Sequence, residues 1–440
     1  MPKRHTLRSL LLSAAMLCGL AGESPAQPST ELPPTDLVNI LISKGGFDAA
    51  ASAAAGIASQ SRQYAWLPEY VRINRMLATG EAAKAEPHTR ALLKQHPDET
   101  DIRHLLVNIL IAQKKYKAAR YHIGKSTGKL RDDELDATYK RYLDAYLKVH
   151  KPYGMKVSFG ATPSTNANRG SAEETVDIGG LSFNLDDNAK AQQGVNLEAT
   201  LSAFYLQQIG EDTDLLMQGA ATLSKNTSSE DNDIVTLVAS PQLQHRFDKG
   251  RFGIGSVAEY QFVGYAPYVA RYGVAGSVSY KLTPDIIIQS QAKFVWQDYD
   301  KEDYRDGTKF TGLSRILFPV ADQLTGDVSV RYEFERTQRD YLDSNLAGVG
   351  VGLTRKWERF DLATSVSAEY AVREFDGNYP LAGYARKDEK LTLSVSASSN
   401  RFSIMGTRPS IGYEYVQNNS NIAIKSYNSH NILVGTKRSF

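Results

Sequence analysis

The chain is almost without cysteine: among 440 residues there is one, Cys18. It falls in a segment that reads as an export signal, so disulfides, thiolate metal sites and cysteine nucleophiles are not expected in the mature chain. An excess of one charge sign is also missing. Lys+Arg number 51 against 49 Asp+Glu, a net charge of +2, which gives no electrostatic ground for a nucleic-acid partner. Beyond Leu20 no uninterrupted apolar run approaches the roughly 18 to 20 residues that a bilayer-crossing helix needs. A chain that crosses a membrane without such helices must close its backbone hydrogen bonds in a barrel. Histidines stand at His5, His88, His96, His104, His122, His150, His245 and His430, with neither HExxH nor HxH spacing, and there is no GxSxG elbow. Gly348, Gly350 and Gly352 alternate with Val349 and Val351 along a strand pattern instead of turning into a helix, which argues against a dinucleotide site. No enzyme, cofactor or metal is expected.

What is present divides by period. Lys3, Arg4 and Arg8 precede an apolar run from Leu10 to Leu20, followed by Ser24-Pro25-Ala26; this predicts a signal peptide over 1–26, cleaved before Gln27. Leu17 is too large for lipoprotein processing at Cys18. From 27 to 150 the pattern is helical, with apolar residues at threes and fours in Leu105, Leu106, Ile109 and Leu110 and in Leu135, Tyr139, Tyr142 and Tyr146. Ala85 and Ala119 occupy like positions 34 residues apart and Pro97 falls where a repeat would end, which predicts a short tetratricopeptide-like array, with a plain helical bundle as the alternative.

From 151 to 440 the period is two. Val328, Val330, Tyr332 and Phe334 alternate with Asp327, Ser329, Arg331 and Glu333, and the dyad recurs in about fourteen segments. Periodicity alone would also fit a soluble sandwich, but the connections alternate between tight turns and longer polar loops. That asymmetry is the habit of outer-membrane barrels. The expected architecture is therefore α+β in two domains: helical repeats in the periplasm, then a transmembrane antiparallel β-barrel with tyrosines such as Tyr260, Tyr280, Tyr332, Tyr413 and Tyr415 near strand ends. The polar side of the dyad puts Glu259, Lys293, Arg331, Glu333, Glu335 and Glu369 in the lumen, where a hydrated, ion-paired wall outweighs acid–base catalysis. An even strand count returns the chain to the periplasm at Phe440, an aromatic end that the barrel assembly machinery is expected to recognise, in contact with outer-membrane lipid.

The segment GATPSTNANRG (160–170) followed by TVDIGGLSFNL (175–185) resembles the opening strand and loop of the surface lipoprotein assembly modifier family, outer-membrane translocators of type XI secretion, with Pro163, Ser164, Asn166 and Asn168 as the matching positions. The resemblance implies that the protein moves client lipoproteins, or secreted haem- and iron-acquisition proteins, to the cell surface. An exopolysaccharide export pore and a passive nutrient channel remain the alternatives.

Overall fold

The structure, a computed structural model, describes residues 33–126, 152–228, 233–399, 401–402 and 407–439. The expected signal peptide, the apolar series from Leu135 to Tyr146 and Phe440 lie outside the described residues. Packing divides the chain into two compact units, Met1–Leu105 and Leu106–Phe440.

The helical part contains α1 (Pro34–Ser43), α2 (Phe47–Gln60), α3 (Leu67–Ala78), α4 (Ala82–Gln95), α5 (Thr100–Ala112) and α6 (Tyr116–Ser126). Prolines open α1 and α3 in the first turn, where the missing N–H is no loss. One C-terminal cap then recurs three times. Gly45, Gly80 and Lys114 take positive φ just past α1, α3 and α5, at intervals of 35 and 34 residues. The next residue bonds back across the last turn in each case: Gly46 N to Leu41 O at 3.0 Å, Glu81 N to Met76 O at 2.8 Å and Lys115 N to Leu110 O at 2.8 Å. This Schellman closure satisfies carbonyls that a helix end leaves unpaired and turns the chain sharply into the next helix. Leu67, Tyr70, Val71 and Ile73 form the buried stripe of α3, each worth at most about 1.5 to 3 kcal/mol in transfer free energy. Ala85 and Ala119, singled out by their spacing, are both buried.

His104 on α5 is held below the usual histidine range, first by burial and then by the neighbouring Arg103. The folded protein therefore resists the proton that the unfolded chain accepts below about pH 6.5. Stability present above that pH is lost as the pH falls toward the depressed value. We expect the thermal midpoint of the helical ellipticity signal in full-length protein to drop between about pH 7.5 and 5.5, by about 1 kcal/mol or less in stability terms. His104→Gln should flatten the slope; an unchanged slope in that variant would refute the assignment.

In the second unit β1 (Tyr153–Ser164) is followed by a small hairpin, β2 (Thr175–Ile178) and β3 (Leu181–Asn184), and then by β4 (Gly194–Gln208), β5 (Thr213–Asn226), β6 (Ile234–Phe247), β7 (Gly250–Val263), β8 (Ala266–Lys281) and β9 (Ile287–Tyr299). The series continues with β10 (Gly307–Ala321), β11 (Leu324–Arg336), β12 (Ser344–Trp357), β13 (Leu362–Asn378), β14 (Ala385–Ser399), β15 (Arg408–Ser420) and β16 (Tyr427–Ser439). Except for β2 and β3, which pair only with each other, these form one closed antiparallel barrel of 14 strands in sequential order, with β1 bonded to both β4 and β16. At 12 to 17 residues each strand exceeds the roughly 9 to 11 that a tilted strand needs to span a bilayer.

The dyad sorts side chains as expected. On β12, Val349, Val351 and Leu353 stand exposed on the outer wall while Gly348, Gly350 and Gly352 alternate with them on the lumen side. Aromatic residues gather toward both rims, with Phe247 stacked on Tyr280 near the rim where the chain enters and Tyr272 stacked on Trp296 toward the other. Tyr332, Tyr413 and Tyr415 stand inside their strands and not at strand ends as expected, with four, seven and five strand residues beyond them. Connections at the near rim are mostly short, as at Asp322–Gln323 between β10 and β11, the exception being the eight residues between β14 and β15; those at the far rim are mostly longer. The far-rim exception is Gly264–Tyr265 between β7 and β8, where both residues take positive φ as a two-residue hairpin turn demands.

Candidate functional site

The six charged residues assigned to the lumen from sequence parity fall in two ion-paired clusters on the inner wall. Glu259 on β7 accepts from Arg271 Nη1 at 2.7 Å, its direct partner in register on β8, and lies 3.3 Å from Lys293 Nζ on β9. Arg271 Nε donates to Gln297 Oε1 at 2.9 Å, Gln297 Nε2 donates to Glu335 Oε1 at 2.9 Å, and Lys309 Nζ lies 3.3 Å from Glu335 Oε2. One level away, Glu333 is buried between Arg331 Nε at 2.9 Å and Arg373 Nη2 at 2.8 Å. Arg331 Nη1 also reaches Glu369 Oε1 at 3.5 Å, from β11 to β13 across β12. The span is open because Gly348, the register partner of Arg331, and Gly350, that of Glu369, carry no side chain. Sequence reading missed Arg271, Lys309 and Arg373, although each shares the inward parity of the residues it named. Toward the far rim the network borders a charged cavity of about 330 Å³ lined by Lys309, Glu335, Arg373, Arg386 and Asp388.

The four motif positions lie together at the far end of β1, and each has a definable task. Pro163 has no N–H to donate, and the ladder between β1 and β16 lapses there: it runs from Lys156↔Ser439 to Ala161↔Val434, then resumes only at Ser164↔Asn431. Buried Ser164 accepts the Asn166 N–H on its hydroxyl at 3.1 Å. Asn166, also buried, donates from Nδ2 to Gly170 O at 2.8 Å and to Asn428 O on β16 at 3.0 Å, and accepts the Gly170 N–H at 2.9 Å. It therefore ties the first loop to the last strand. Asn168 closes the base of that loop, donating to Lys190 O at 2.7 Å and Asn188 O at 3.0 Å and accepting from Gln192 N at 3.0 Å.

The same loop carries β2 and β3, turned at Gly179 and Gly180, both at positive φ. Val176 and Ile178 on the hairpin and Leu185 beyond it pack into an apolar cluster with Ala382 of the β13–β14 loop and Ile422 of the β15–β16 loop. This is a small hydrophobic core built from loops alone. The sequence signal for it was the Val-Asp-Ile-Gly-Gly-Leu-Ser-Phe alternation, a hairpin pattern that the sequence reading treated as part of a long loop.

Asn166→Ala should leave Asn428 O and both backbone groups of Gly170 without that partner. At about 0.5 to 1.5 kcal/mol for each net hydrogen bond, the local cost is about 2 to 3 kcal/mol, about a hundredfold faster exchange of the Gly170 amide. Unchanged exchange there would show that the side chain is not what closes the loop.

At the near rim, α6 lies against the inner face of the wall. Lys117 Nζ is 2.5 Å from Oδ2 of Asp214, which is buried on β5 and also lies 3.6 Å from Arg246 Nη2. Gln208 Nε2 donates to Lys117 O at 2.9 Å and His122 Nε2 lies 2.6 Å from Glu211 Oε1. Burial holds the Lys117 ammonium below the ordinary lysine range despite the opposing pull of Asp214. Nothing in the sequence pattern paired these residues.

An apolar outer wall, a charged inner wall and full closure define a bacterial outer-membrane β-barrel with a helical amino-terminal part. The residues 154–440 match the family described as "Surface lipoprotein assembly modifier", and the chain belongs to that family. Surface lipoprotein assembly modifier 2 of Neisseria meningitidis serogroup B is 22% identical over 169 residues, which cover 36% of this chain and 34% of that protein. The chain thus spans about a third of that curated relative's length. Among solved structures, the Acinetobacter baumannii proteins OccAB4 and OccAB3 are similar at 9% and 8% identity with TM-scores of 0.34 and 0.36, in each case over 66% of this chain and 99% of theirs.

Proposed function

We propose that the protein is an outer-membrane translocator that carries client proteins, surface lipoproteins or secreted haem- and iron-acquisition proteins, to the cell face, with the helical part in the periplasm capturing the client. The observation that carries this reading is the family match across the whole barrel, which includes the Pro163–Asn168 segment. The wall chemistry supports it. An ion-paired, hydrated lumen accommodates a polypeptide's peptide groups and charges, which an apolar channel would penalise. The helical hairpins supply a surface on the periplasmic side. With no nucleotide in that compartment, transport draws on binding and folding of the client.

The test is surface proteolysis of palmitate-labelled lipoproteins in cells with the protein, without it, and with residues 35–148 deleted. Labelled lipoprotein should become protease-accessible only with the intact protein. Equal exposure with and without the protein would sink the translocator reading. Full exposure with the deleted form would remove client capture from the helical part and favour a simple pore.

A further inference from the structure

The barrel wall is uneven in how it is held. Between β1 and β16 the described residues show seven paired positions, whereas every other pair of neighbouring barrel strands shares 11 to 14. A comparable lapse occurs at Ser240 and Pro241 between β6 and β7, but there 12 paired positions flank it. At the seam Gly160 faces Gly435, so no side chains interlock at that level. Beyond Ser164 the far end is fastened by two side-chain bonds and one backbone bond: Asn166 to Asn428 O, and His430, whose N–H donates to Thr165 Oγ1 at 3.0 Å and whose carbonyl accepts Thr165 N at 3.1 Å.

A lipid-anchored client poses two solvation demands at once. Its polypeptide is polar and suits the ion-paired lumen, whereas its acyl chains are not stable among Glu259, Arg271, Glu333 and Arg373 and belong in the bilayer outside the wall. Both are met only if the wall has a slit, with the polypeptide on one side and the acyl chains on the other. From the short ladder, the proline lapse and the glycine pair, we propose that β1 and β16 part along their seam and that the opened seam is the path of the client's acyl chains. This rests on the translocator reading above. The first loop is fixed to β1 at its base and to β16 through Asn166, so parting the seam also frees the loop hairpin from the β15–β16 loop.

Locking the seam tests this directly, because the barrel contains no cysteine of its own. Ala161→Cys with Val434→Cys places a pair at directly opposed register positions on the outer face, within the Cα separation that a disulfide bridges. Ser290→Cys with Ser314→Cys, opposed on β9 and β10 with hydroxyl oxygens 2.9 Å apart, is the control lock. Cells labelled with palmitate should lose protease-accessible lipoprotein, down to the level of cells without the protein, when the seam pair is oxidised. They should regain it on reduction, and the control lock should have no effect. If the seam pair fails to assemble, Phe159→Cys with Thr436→Cys reads the same seam at another height. Undiminished exposure with a fully oxidised seam overturns the slit and leaves the translocator standing; equal exposure in cells without the protein removes the translocator itself.

Discussion

Replacing Glu333 with alanine is expected to lower the barrel's unfolding free energy by about 3 kcal/mol, the lower end of the cost of removing one member of a buried ion pair. The carboxylate is 4% exposed and is shared by Arg331 and Arg373 from two other directions of the wall, so alanine leaves two guanidinium groups facing each other with their common counter-charge gone. Lumen water screens Arg331, whose side chain is 41% exposed, which is why the lower figure applies. Glu333→Gln keeps an acceptor for one guanidinium and should cost less. Adding Arg373→Met to Glu333→Ala should recover part of the loss, since the stranded cation goes with it. The measurement is the temperature at which detergent-solubilised protein loses its compact gel mobility. A midpoint equal to that of the unaltered protein would mean that the network is surface decoration.

Gly179→Val should release the β2–β3 hairpin from the far rim. Gly179 has φ +59, and a Cβ built there would lie 1.8 Å from Leu381 O, a backbone atom that cannot swing aside. Either the hairpin or the β13–β14 loop has to move, and with it goes the cluster of Val176, Ile178, Leu185, Ala382 and Ile422, in which each of the four larger aliphatic side chains contributes about 1.5 to 3 kcal/mol when fully buried. Trypsin should then cut after Arg169 and Lys190, which flank the hairpin. Gly180→Ala is the comparison: its φ of +80 carries a backbone strain of about 1 kcal/mol, but no atom lies within 4 Å of the added carbon, so the hairpin should stay docked. Equal trypsin resistance in both variants would show that the cluster does not hold the loop.

How much of this was readable from the chain follows the range of each interaction. The barrel was legible because alternation is local: Val349 and Gly350 already state which face is which, and the tight turns fix register between neighbours. Glu259, Lys293, Arg331, Glu333 and Glu369 were legible for the same reason, but who pairs with whom was not. That Arg331 passes over β12 to Glu369 depends on glycine standing at two register positions, and register is a property of the closed sheet. Pro163, Ser164, Asn166 and Asn168 were visible as a motif, while their work, binding the first loop to a strand more than 250 residues later, required closure to be seen. The contact of α6 with Asp214 and Glu211 had no sequence signature, because a lysine and a histidine on a helix read as solvated until something is placed beside them.

The recurring helix closure at Gly45, Gly80 and Lys114 carries one more consequence. Each junction is satisfied by atoms of its own hairpin, so none depends on what precedes or follows it along the chain. A helix end at any of these junctions therefore stays closed whatever sequence is joined beyond it, so each turn tolerates a change in the following segment without exposing unpaired carbonyls.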